Sequence, residues 1–150
     1  MKGEPVMKRT IFTTIIISII MTTISTPIIN ATMLQNKAVL HHTASHDVSA
    51  KIINEWHNER GFDGIGYHYI IRADGTIEKG RDINTMGAHA KGRNNYIGIA
   101  LTGYDDFTDA QYKALAQLFN KLDLNYLEPH HEACPGSNFN WNKLMQEITK

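Results

Sequence analysis

The sequence has one cysteine in 150 residues, Cys134, so no internal disulfide can brace the fold. It also lacks any excess of one charge. Setting aside the first 31 residues removes Lys2, Lys8, Arg9 and Glu4, which leaves 12 basic and 14 acidic side chains from the original 15 of each. A net charge of −2 with no basic run gives no electrostatic footprint for nucleic acid. Beyond residue 31 there is no internal repeat and no low-complexity tract, and the length suits one domain rather than two. What the chain does have is histidine: all eight fall between 41 and 131, four of them as the pairs His41-His42 and His130-His131.

The first 31 residues read as a separate segment. Lys2, Lys8 and Arg9 form a basic start, Ile11 to Ile24 is uncharged and largely apolar, Pro27 interrupts it, and Ala31 could end a cleavable leader. The alternative is a retained anchor, because the uncharged run from Thr10 to Gln35 is long enough to cross a bilayer. Its Thr, Ser and Pro content makes a poor permanent span. We therefore expect residues 1–31 to be a signal peptide or signal anchor and 32–150 to be an exported domain. That domain would be periplasmic, wall-associated or extracellular, monomeric, and joined to a membrane only through its N-terminal segment.

Periodicity divides the domain. Ala38–His41 reads as a strand with Val39 and His41 on one face and Leu40 and His42 on the other. Ser49 can cap a helix from Ala50 to about Arg60, with Gly61 as its stop. Tyr67–Arg72 and Thr76–Lys79 flank Asp74-Gly75 as a hairpin. Arg81 to Asn95 has no periodicity, and loops of that length in compact domains are more often functional than idle. Tyr96–Leu101 is a nearly continuous apolar strand, suited to the centre of a sheet. Thr108 and Gln111 open a helix as a capping box, with Tyr112, Leu115, Leu118, Phe119 and Leu122 on its apolar face. A short strand, Asn125–Glu128, delivers His130, and Asn140 caps a last helix to about Ile148. This order predicts a single α/β domain, a central mixed β-sheet flanked by helices.

Two strand-end histidine pairs and the only cysteine suggest a metal site. Zinc takes imidazole nitrogen and thiolate, and three protein ligands with an open fourth position mark a catalytic rather than a structural centre. If the strands ending in His41 and His130 are neighbours, both rings can reach one ion, with Cys134 as third donor. The plainer alternative is a set of surface histidines and a buried thiol. A structural zinc would need a fourth ligand, for which His131 is the nearby candidate. His131 also competes with His130, because two residues separate it from Cys134, a common chelate spacing.

Several stretches, in order, carry a family resemblance: Val39-Leu40-His41-His42-Thr43-Ala44-Ser45, Trp56-His57, and the run from Gly66 through Tyr67 to Thr76. Gly80-Arg81-Asp82, His89-Ala90-Lys91-Gly92, Ile97-Gly98-Ile99, and His130-His131-Glu132 followed by Ala133-Cys134-Pro135 complete the series. Over about Val39 to Trp141 the chain resembles the zinc-dependent N-acetylmuramoyl-L-alanine amidases, which include amidase-type phage lysozymes and the peptidoglycan recognition proteins. The resemblance implies Zn²⁺ on His41, His130 and Cys134. It puts the family's catalytic tyrosine at Tyr67, holding the oxyanion formed when the amide between N-acetylmuramic acid and L-alanine is cleaved. Peptidoglycan or muropeptide is then the substrate. A non-catalytic peptidoglycan-binding module of the same fold is the alternative.

The chain departs from that pattern beside Cys134. Relatives have a longer loop there, many with a lysine two residues before the cysteine. Here the loop is only His131-Glu132-Ala133, and position 132 is glutamate. Glu132 is a candidate general base, a carboxylate that orients a ligand histidine, or a solvated charge. His89, in the long loop, is read as a substrate contact or as a loop-stabilising hydrogen bond. His57 and Trp56 are read as packing residues, and His68 is expected to face away from the site.

Overall fold

A computed structural model describes residues 34–150; the leader or anchor assigned to residues 1–31 lies outside the described residues. The described residues form five strands and three helices. They are β1 (Leu34–His42), α1 (Ala50–Glu59), β2 (Tyr69–Ile71), β3 (Ile77–Lys79), β4 (Tyr96–Leu101), α2 (Asp109–Lys121), β5 (Tyr126–Pro129) and α3 (Trp141–Ile148). The sheet order is β3-β2-β4-β1-β5, with β3 antiparallel and every other pair parallel. This is the mixed, helix-flanked sheet that the residue pattern predicts. The apolar strand β4 lies at its centre.

Alternation along the strands sends side chains to two cores. Ala38 and Leu40 of β1, Ile71 of β2, and Ile97, Ile99 and Leu101 of β4 face α2 and α3, and meet Tyr112, Leu115, Leu118 and Leu144. On the other face Ile70 meets Ile53 of α1 together with Val48 and Ile65. The capping box of Thr108 and Gln111 is formed as expected, and Gln111 is itself buried, donating to the carbonyls of Ile71 and Thr102. Two boundaries differ from the periodicity by more than one residue. β1 begins four residues before Ala38, and β2 contains only Tyr69–Ile71, so Tyr67 and His68 precede it. Residues 64–66 are held by side chains of α1, and Tyr67 and His68 by isolated backbone bonds to Arg81, Gly80 and Gly98.

The turn after β1 is fastened by a charged cluster. Asp47 accepts two hydrogen bonds from the Arg72 guanidinium (both 2.8 Å), one from Thr102 Oγ1 (2.6 Å) and one from the Ala73 amide (3.0 Å). These bonds, led by that from Arg72, hold the Asp47 carboxyl well below its ordinary value of 3.8. Because the folded value is the lower one, the stabilisation is complete above pH 4 or so and fades as pH falls from there. We expect Asp47→Ala to cost about 1–2 kcal/mol at neutral pH, limited by the solvent exposure of the pair, and less in acid. Urea midpoints at pH 7 and pH 3 check both statements.

Candidate metal centre

His41 and His130 come together because β1 and β5 are adjacent and parallel, with Leu40 opposite Pro129 and the His130 amide donating to the Leu40 carbonyl at 3.0 Å. The site therefore lies at the carboxyl ends of the parallel strands, where open α/β sheets place their ligands. Alternation puts Leu40 into the α2–α3 core and His41 on the opposite face. There its β4 neighbour is Ala100, with Gly98 two residues earlier, so small side chains leave room for rings above the sheet.

Cys134 returns to this point through a tight turn. His131 and Cys134 exchange backbone hydrogen bonds, at 3.2 and 3.0 Å. Asp105 then ties down the residues that follow, accepting from the Asn138 amide (3.0 Å), Asn138 Nδ2 (2.7 Å) and Ser137 Oγ (3.3 Å). The shortened loop is thus a closed turn held from the side.

One ligand atom each from His41, His130 and Cys134 lies within 4.8 Å of the others. His41 is buried, its Nδ1 stands 3.9 Å from Cys134 Sγ, and its ring lies 4.5 Å from that of His130. The group contains His130 and not His131. The His131 ring is exposed and accepts a hydrogen bond from the Ala133 amide. Burial, then the neighbouring His89 and His130, lowers the His41 pKa to about 2, and burial also lowers that of His130. Burial raises the Cys134 thiol, opposed by the His42 backbone. Two neutral imidazoles and one sulfur that a divalent cation would deprotonate are a donor set that can hold a metal ion.

Tyr67 stands beside the trio, its ring 5.0 Å from that of His41. Burial first, then Cys134, pushes its pKa up to about 12, so the phenol keeps its proton at neutral pH. Its position is set by α1. Three side chains of that helix, Asn54, His57 and Asn58, accept the amides of Ile65 (2.8 Å), Gly66 (2.9 Å) and Gly64 (2.9 Å). Gly66 is required there, because a Cβ would lie 2.1 Å from the Ala88 carbonyl oxygen. His57, read as a packing residue, packs against Tyr67 and also anchors this turn. Asn54, His57 and Asn58 share one helix face at i, i+3 and i+4, a signal present in the sequence but not read from it.

His89, read as either a substrate contact or a loop-stabilising hydrogen bond, uses both ring nitrogens inside the protein. Nδ1 lies 3.0 Å from His41 Nε2, and Nε2 lies 3.0 Å from the Tyr96 carbonyl. His68 is buried, with Nδ1 accepting from the Gly98 amide and Nε2 against the Thr85 carbonyl. Glu132 is exposed and has no hydrogen-bond or ion-pair partner among the described residues. Arg93 was overlooked in the sequence. It donates to Glu128 (2.8 Å) and to the carbonyl of His130 (2.5 Å), fastening the long loop to the end of β5.

A mixed sheet gathers two imidazoles and a thiol at its carboxyl edge, beside a phenol with no hydrogen-bond partner among the described residues, and so forms a candidate metal centre. The N-acetylmuramoyl-L-alanine amidase family model matches residues 32–137, and the chain belongs to that family and is an enzyme of its type. Among its relatives is the endolysin of Escherichia phage T7, 43% identical over 104 residues, which span 61% of this chain and 69% of the endolysin. The fold matches the solved amidase LysC of Clostridium intestinale URNW with a TM-score of 0.68 at 37% identity, covering 76% of this chain and 85% of that one. It also matches a peptidoglycan recognition protein ectodomain complex with bound tracheal cytotoxin, TM-score 0.63 and 28% identity, covering 69% and 77%.

Proposed function

We propose that the protein holds zinc on His41, His130 and Cys134 and hydrolyses the amide between N-acetylmuramic acid and L-alanine in peptidoglycan, outside the cytoplasm. The observation that carries this reading is the convergence of the three donors within 4.8 Å in a chain of this family. Zinc, when bound, supplies an electrophile for the scissile carbonyl and lowers the pKa of its water towards about 7. The residues do the remainder. Tyr67 donates a hydrogen bond to the developing oxyanion, and no acceptor among the described residues competes for that hydroxyl. Glu132 takes the role that a lysine fills in relatives, moving a proton between the attacking water and the departing alanine nitrogen. Its side chain is unpartnered, and its turn joins two of the ligands.

This assignment makes Glu132→Gln informative. It should lower kcat by about 10²-fold, the small end of general acid–base effects because the group is solvated, and leave zinc affinity unchanged. Wild-type turnover in that variant removes Glu132 from the chemistry.

The peptidoglycan-binding reading gains support from the shortened loop and missing lysine. Purified protein incubated with peptidoglycan, with zinc or with a chelator, separates the two. New L-alanine amino termini that require zinc support the amidase, whereas retained muropeptide without release supports the binder. Export rests on residues 1–31, and is tested by fractionating cells that express the chain with and without them.

A further inference from the structure

The long loop from Arg81 to Asn95 sends its strongest contacts into the metal centre. The His89 ring sits in a slot made by two glycines. A Cβ at Gly98 would lie 2.5 Å from His89 Cδ2, and one at Gly87 would lie 2.4 Å from the same atom. The loop around this ring is fastened at many points. Asn94 Oδ1 accepts the amides of His89 (2.9 Å) and Ala90 (2.8 Å), and the Gly87 amide donates to the Asn94 carbonyl (2.8 Å). Arg81 donates to the carbonyls of Ile65, Met86 and Asp63. A ring in so tight a slot has one orientation.

That orientation has a chemical consequence. A carbonyl oxygen can only accept, so His89 Nε2, at 3.0 Å from the Tyr96 oxygen, must carry the proton. His89 Nδ1 is then a bare lone pair. His41 Nε2, 3.0 Å away, must be the donor to it. His41 Nδ1 is therefore the nitrogen left without a proton, and it is the one that faces Cys134 Sγ at 3.9 Å.

We propose that His89 is a positioning residue of the metal centre. Its hydrogen bond holds His41 in the tautomer protonated at Nε2, so that the Nδ1 lone pair is presented to the ion. The proposal rests on the reading of this site as a metal centre. A carbonyl–histidine–histidine chain of this kind fixes ring orientation and raises ligand basicity, as outer partners of metal-bound histidines do. It also explains why a loop without periodicity is pinned so closely. Its task is to hold a ligand still, and Arg93, reaching the carbonyl of His130 from the same loop, does the like for the second histidine.

The test uses the full chain and does not depend on turnover. In metal-free, ¹⁵N-labelled wild type, two-bond ring correlations should report His41 as the Nε2-protonated tautomer. His41 protonated at Nδ1 overturns the proposal. Zinc affinity, measured by competition with a chromophoric chelator, should fall about 10–100-fold in His89→Ala. It should be partly restored in His89→Gln, whose amide offers one acceptor for His41 and one donor for Tyr96. Unchanged affinity in His89→Ala overturns the proposal, as does equal loss in the two variants, which would make His89 only a filler of its slot. If His89→Ala does not fold, the wild-type tautomer still decides. Failure of the wild type to bind zinc counts against the metal reading itself, and is distinct from a wrong tautomer at His41.

Discussion

Cys134→Ala is expected to lose zinc and amide hydrolysis together, and His41→Ala to do the same. Both side chains are buried at the carboxyl edge of the sheet, with His41 Nδ1 and Cys134 Sγ 3.9 Å apart, so neither can be replaced by a nearby donor without moving backbone. The two residues come from parts of the domain 93 positions apart, and a metal held by both would tie them together. Losing one of three protein ligands should therefore cost more than the roughly 10–100-fold that follows loss of an outer partner. Bound zinc by elemental analysis and release of L-alanine termini should fall in parallel. Retention of stoichiometric zinc by Cys134→Ala would remove the thiolate from the ligand set. The same variant separates stability from function, since a buried cysteine behaves as a small hydrophobe and alanine there leaves only a small void.

Tyr67→Phe is expected to behave differently, keeping zinc and losing rate. Its hydroxyl has no hydrogen-bond partner among the described residues, and it stands next to His41 with a proton that burial and Cys134 make hard to remove. Such a donor is strongest towards charge that appears only in the transition state. Removing it should reduce kcat by about 10³-fold with KM little changed, at the upper end of losses for one oxyanion donor because the phenol is largely buried. The phenylalanine ring preserves the contacts with His41 and His57, so folding should be unaffected. Zinc titration together with steady-state kinetics measures both halves. An unchanged kcat would leave Tyr67 as a wall of the cleft only.

The elements were legible where one local cause dominated. Ser49 and Asn140 cap their helices, Thr108 and Gln111 close a capping box, and Asp74-Gly75 turns a hairpin, each through bonds within a few residues. The apolar run Tyr96–Leu101 marked the central strand, since only a strand covered on both faces can be apolar throughout. The strand expected over Tyr67–Arg72 was too long. The backbone at Tyr67 and His68 still bonds to Arg81, Gly98 and Gly80, but the turn before it, residues 64–66, is held by three side chains on α1 whose positions are set by packing rather than by periodicity.

The residue types of the candidate donor set, one thiol and two histidine pairs, were legible in the sequence alone. Alternation also determined that His41 opposes Leu40, and so that it lies off the α2–α3 core. Which histidine of the second pair joins the thiol was decided only in three dimensions. The shortened loop closes into a turn between His131 and Cys134, which leaves His131 exposed and His130 beside His41. The work of the long loop was decided there too. His89 meets His41 across 48 residues in a slot made by Gly87 and Gly98, and hydrogen-bond direction through a ring is fixed by what lies on both sides of it. One of those sides, the Tyr96 carbonyl, belongs to the sheet, and no spacing along the chain reveals it.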